Sequence, residues 1–129
     1  TLDGRTLSLE GLKGKVVVVN FWFVGCPACL DMEPKLNAFK ARFAADDGEI
    51  VFVAITADAA GVVRKYQEKH PFDYVQATDA GDAIKSFAFS SYPKNIVISR
   101  RGEIVYWRSG VKAWDKFESV IRAELGRPR

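Results

Sequence analysis

The chain has 129 residues, 48% of them hydrophobic, with a formal net charge of +3. That length suits one compact domain, here residues 1–129, able to bury a full core without metals or disulfide staples. Basic and acidic residues are interspersed, so the charge footprint of a nucleic-acid binder is missing. No run approaches the roughly eighteen consecutive apolar residues of a membrane span; the longest, Val16 to Val19, stops at Asn20 and resumes only to Val24.

In chain order, residues 6–9 and 16–23 read as strands. The second, Val16-Val17-Val18-Val19-Asn20-Phe21-Trp22-Phe23, is apolar on both faces, as a central strand covered on both sides must be. A helix follows from Pro27 to about Ala45, with Met32, Leu36, Phe39 and Phe43 at i, i+4, i+7 and i+11. Pro27 suits its first turn, and Pro34 is expected to kink it. Next come a strand at 50–56, a helix over 59–70, a short strand at 74–77 and a helix over 80–88. Alternating strand and helix implies parallel pairing. Strands at 95–99 and 103–107 then form an antiparallel hairpin, whose turn holds Arg100-Arg101 and reads as solvated. A last helix over 113–125 places Trp114, Phe117, Ile121 and Leu125 on one stripe. The expected architecture is α/β, a mixed central sheet flanked by helices on both faces.

The chemistry points to the two cysteines, Cys26 and Cys29, the only two in the chain. They stand where an apolar strand gives way to a helix. Unpaired backbone N–H groups and the helix dipole favour negative charge there, so the Cys26 thiol should ionise more easily than a free one and act as nucleophile. Cys29, one turn on, is the expected resolving thiol. Lowering a thiol pKa from about 8.5 to about 7 raises thiolate at neutral pH roughly 16-fold, of which about 6-fold is lost to reduced nucleophilicity. The larger effect is a better leaving group and a shifted reduction potential.

Other uses of the pair fit less well. Closing so short a loop constrains the unfolded chain by only about 2 kcal/mol, a poor staple. Zinc needs four ligands, and His70, the one histidine, stands some forty residues away as a helix-end residue. Haem attachment needs histidine after the second cysteine, where Leu30 stands. No cofactor or metal is expected beyond a redox-active Cys26–Cys29 disulfide.

Phe21-Trp22, the Cys-x-x-Cys that opens a new helix, and Pro34 five residues after Cys29 resemble the active-site segment of the thioredoxin superfamily. Leu12-Lys13-Gly14-Lys15 running into Val16–Trp22, with the extra helix and strand between about Ala59 and Ala77, is similar to the TlpA/ResA-type (AhpC/TSA-like) branch. The resemblance implies a thioredoxin-like fold with an N-terminal strand or hairpin and a central helix–strand insertion. It implies a monomeric extracytoplasmic thiol-disulfide oxidoreductase, periplasmic or in the cell envelope, that reduces protein disulfides, several relatives serving cytochrome c maturation. Its electron donor would be a membrane thiol reductant. Because the chain begins at Thr1 without an initiator methionine, a removed leader, membrane anchor or neighbouring domain is allowed for.

The same resemblance implies that Pro93, in Tyr92-Pro93, is the cis-proline opposite the cysteines, with the Tyr92 backbone free to pair with an extended substrate. Gly110 would flank the substrate groove, and Trp22, Gly25 and Pro27 would border it. Gly25 stands where a bulky residue is common, which opens the site. Lys94 stands where threonine often follows the cis-proline, and Asn20 where thioredoxins carry a buried aspartate. Since asparagine takes no proton, a base must come from elsewhere, and Asp58 is the candidate acceptor for the Cys29 proton; its plainer reading is a cap for the helix starting near Ala59. Two rival classes remain. A peroxiredoxin-like peroxidase would carry threonine where Phe23 stands, and a copper or zinc carrier or thioredoxin-like binding module would use the cysteines without turnover.

Overall fold

A computed structural model describes residues 10–46, 48–81, 84, 94–109 and 114–127. Strand β1 (Val16–Phe21) leads to helix α1 (Pro27–Ala41), strand β2 (Ile50–Ile55), helix α2 (Ala60–Gln67), strand β3 (Val75–Ala77), the strands β4 (Lys94–Ile98) and β5 (Ile104–Ser109), and helix α3 (Trp114–Leu125). Among the described residues the sheet order is β3-β2-β1-β4-β5. β1 pairs parallel with β2, from Val16 opposite Ile50 to Phe21 opposite Ile55. It pairs antiparallel with β4, from Val17 opposite Ile98 to Phe21 opposite Lys94.

The reading of β1 as apolar on both faces is explained by this central place, where all six of its residues, Asn20 included, are buried. Alternate side chains feed two cores, because neighbouring residues of a strand face opposite ways. Val16 and Val18 join Leu36 and Phe39 of α1, Phe43 just beyond it, Val63 of α2, and Phe117 and Ile121 of α3. The Phe39 and Phe117 rings stack at 4.8 Å. Val17, Val19 and Phe21 meet Val53, Ile96 and Ile98 on the opposite face, where Leu12 and Ile84 pack against them. The strand expected at 6–9 and most of the helix expected over 80–88 lie outside the described residues.

Several boundaries differ from the sequence expectation. β1 ends at Phe21, two residues early, although the Trp22 N–H still donates to the Ile55 carbonyl at 3.1 Å. Helix α1 runs through Pro34 without interruption and ends at Ala41, followed by a short 3-10 turn at Ala44–Asp46. The hairpin turn is present, closed by Gly102 N–H to the Ser99 carbonyl at 2.9 Å, but it is not solvated as expected at Arg100. That residue is buried: its Nη1 donates to the Gly14 carbonyl (2.7 Å) and Glu49 Oε2 (3.0 Å), and its Nη2 to the Leu125 carbonyl (2.9 Å). A planar fork of donors can serve several acceptors at once, which lets a charged side chain go inside. Arg101 is exposed.

Candidate active site

The site grows from the end of β1. Four residues, Trp22 to Gly25, carry the chain from the central strand to the first turn of α1. Gly25 has φ of +95°, and a Cβ built on it would meet nothing within 4 Å. Glycine is therefore needed there for backbone conformation and not for room, since an L side chain disfavours that region. Cys26 follows as the N-cap of α1, with extended φ/ψ of −79° and 109°, and Pro27 occupies the start of the helix, where a missing N–H removes nothing.

Cys26 and Cys29 form a disulfide, their Cα atoms 5.2 Å apart. The Cys29 N–H donates to Cys26 Sγ at 3.2 Å, so the capping group of this helix is the sulfur itself. That arrangement points a backbone donor and the positive end of α1 at the atom that would carry thiolate charge after reduction. Both cysteines are buried, at 5% and 2% exposure, yet Gly25, Pro27, Ala28 and the apolar Phe23 and Leu30 beside them are exposed.

Trp22, expected at the substrate surface, is 1% exposed. Its Nε1 donates to Gln76 Oε1 at 3.1 Å, and its ring packs against Tyr66 and Phe72. It supports the site from beneath, because a side chain enclosed by α2 and the segment leading into β3 presents no face to a partner. Asn20 is also buried, donating from Nδ2 to Asn95 Oδ1 at 3.0 Å, while Asn95 Nδ2 reaches Met32 Sδ at 3.5 Å. A neutral amide chain thus lies below α1 where thioredoxins place an acid.

Asp58 does not cap α2: the N-cap is Ala59, with no side-chain cap bond. Its Oδ2 instead accepts from the Val24 N–H and from Thr56 Oγ1, both at 2.8 Å. Tyr92, Pro93 and Gly110 lie outside the described residues. Their described neighbours Lys94 and Ser109 pair with each other, and Lys94 pairs with Phe21, at the end of the sheet that leads to the cysteines.

One buried acid escaped the sequence reading. Glu33, on α1 one turn after Cys29, is 2% exposed; Tyr66 OH donates to its Oε1 at 2.8 Å, while Oε2 is buried without a partner. Burial pushes its carboxyl up to about 7, only partly offset by the Tyr66 bond. Burial and the neighbouring Glu33 likewise raise Tyr66. The available signal was spacing: Glu33 stands three residues before Leu36, on the arc that the apolar stripe buries.

A mixed sheet with a Cys-x-x-Cys disulfide at the mouth of the helix after its central strand defines a thioredoxin-type thiol-disulfide oxidoreductase. The chain belongs to the Redoxin family, whose profile matches residues 1–125. It is 24% identical over 123 residues to the thiol-disulfide oxidoreductase ResA of Bacillus thuringiensis subsp. konkukian (strain 97-27), covering 94% of this chain and 70% of that protein. It is 27% identical over 128 residues to ResA of Halalkalibacterium halodurans, covering 95% and 72%. The crystal structure of the thioredoxin domain of a thiol-disulfide oxidoreductase from Bacteroides vulgatus superposes with a TM-score of 0.79 at 26% identity, covering 95% of this chain and 89% of that one. The expected fold and redox chemistry are borne out.

Proposed function

We propose that this oxidoreductase works as a reductase of protein disulfides outside the cytoplasm, in the setting the ResA relatives suggest, with cytochrome c maturation as its pathway. The Cys26 thiolate attacks one sulfur of a substrate disulfide, forming a Cys26–substrate bond and releasing the other substrate sulfur as thiolate. Cys29 then attacks Cys26 Sγ and displaces the second substrate sulfur. Two electrons pass to the substrate, its sulfurs take up two protons, and the Cys26–Cys29 disulfide remains. A membrane thiol reductant recharges the pair. On the resemblance stated above, Tyr92, Pro93 and Gly110 are the residues assigned to receive an extended substrate segment.

The observation that carries this reading is the Cys29 N–H aimed at Cys26 Sγ across the N-cap of α1, because it prepares one sulfur, and not the other, to bear charge. Cys29→Ser should accumulate covalent adducts through Cys26 that a reductant releases, and Cys26→Ser should accumulate none. Absence of adducts in the first variant overturns the mechanism. Titration of the pair against glutathione sets the direction: a reductase should fall near −270 mV, whereas a value near −120 mV assigns the protein as an oxidant.

A further inference from the structure

We infer that Asp58 is a positioning residue for Cys26, fastening the turn that carries the nucleophile, in place of the proton-acceptor part expected from its place in the sequence. The inference rests on the disulfide-exchange reading above. A carboxylate oxygen offers two lone-pair sites, and both sites of Asp58 Oδ2 are taken, by the Val24 N–H and by Thr56 Oγ1, each at 2.8 Å. Both bonds therefore go to groups that fix the approach to α1, and neither goes to a cysteine.

What the bonds hold is the approach to α1. Trp22 N–H is fixed to the Ile55 carbonyl at 3.1 Å, Val24 N–H to Asp58, and Cys26 N–H returns to the Phe23 carbonyl at 3.2 Å. Every second amide from Trp22 to Cys26 is therefore tied, and Val24 is tied by a charge-assisted bond two residues before the nucleophile. Gly25, at φ +95°, sits between the tied amides of Val24 and Cys26. The anchor is itself rigid: Thr56 is fully buried, its Oγ1 accepts the Asp58 N–H at 3.1 Å, its carbonyl accepts from Ala80 N–H, and the Asp58 carbonyl accepts from Asp79 N–H at 2.9 Å. Asp58 thus couples the β2–α2 connection to the N-cap geometry that places Cys26 Sγ in front of the Cys29 N–H. Loosening that geometry raises the Cys26 thiol, because the thiolate loses its donor and its place at the helix end.

The test compares Asp58→Asn, Asp58→Ala and Thr56→Val in the reduced protein. It follows the pH dependence of Cys26 alkylation and, separately, the rate at which Cys29 releases a mixed disulfide. Asparagine keeps an oxygen for Val24 and Thr56, so Asp58→Asn should stay within about twofold of the native rates, with an alkylation midpoint no higher than native. Asp58→Ala should raise the midpoint by about half a unit or more and slow alkylation at pH 7 at least about threefold. Thr56→Val removes one anchor and should shift the midpoint the same way by less. Equal slowing of release in both Asp58 variants, with the Cys26 midpoint unmoved, would restore the proton-acceptor role and overturn the inference, as would native behaviour in all three. Should Asp58→Ala fail to fold, as judged by circular dichroism, an unmoved midpoint in Thr56→Val is the overturning result. Native protein that reduces no insulin disulfide would count against the proposed function and not against Asp58.

Discussion

At the residue scale, two carboxylates near the disulfide have taken different environments. Asp58 is half-buried and doubly bonded, whereas Glu33 is enclosed with one oxygen unpaired. Enclosure disfavours the anion, which is why the Glu33 carboxyl rises to about 7 from 4.5. The folded chain then holds a proton that the unfolded chain has released, so between these two values stability falls as pH rises, and above about 7 the loss is complete. A shift of this size corresponds to about 3 kcal/mol. Urea unfolding of the oxidised protein at pH 5 and pH 8 should show that decline, and Glu33→Gln should flatten it and be the more stable protein at pH 8. An equal decline in the variant would assign the pH dependence to other groups. The cysteines were legible because their spacing and setting are local; the burial of Glu33 was not, because a glutamate looks the same in sequence whether water or Tyr66 faces it.

At the element scale, α1 joins chemistry to core. Its first turn carries the disulfide, and its later turns carry Leu36 and Phe39, followed beyond the helix by Phe43, all three buried against the sheet. Phe39 touches the rings of Phe43, Trp114 and Phe117, with centroids 4.8 to 5.3 Å away. Phe39→Ala should destabilise the fold by about 3–5 kcal/mol, since those rings cannot close over the cavity left behind. Chemical denaturation measures it; a loss below about 1 kcal/mol would mean that α1 is held chiefly by its N-terminal end. The stripes of α1 and α3 were readable because a 3.6-residue period survives any tertiary arrangement. Their ends were not. β1 stops at Phe21 although Trp22 and Phe23 are apolar, because Trp22 turns under α2 to meet Tyr66, Phe72 and Gln76.

At the scale of the whole molecule, Arg100 ties the sheet hairpin to two distant stretches, through the carbonyls of Gly14 and Leu125, and to Glu49. Because Glu49 is partly exposed at 44%, its ion pair is well screened, and the buried bonds to carbonyls should dominate. Arg100→Met should lower stability by about 2–4 kcal/mol by leaving those carbonyls without their donor, and Arg100→Lys should recover only part of it. Thermal and urea unfolding of the two variants check this; a native-like Lys variant would show that charge alone suffices. By itself the sequence determined the alternation of strands and helices, the central place of β1 and the identity of the reacting sulfurs, because each follows from local periodicity and from residue chemistry at a strand–helix junction. Only the tertiary structure decided that Asp58 reaches Val24, that Trp22 lies inside, and that Glu33 and Arg100 are buried. Those outcomes depend on which surfaces meet when distant segments pack, and no local pattern encodes the far side of a contact.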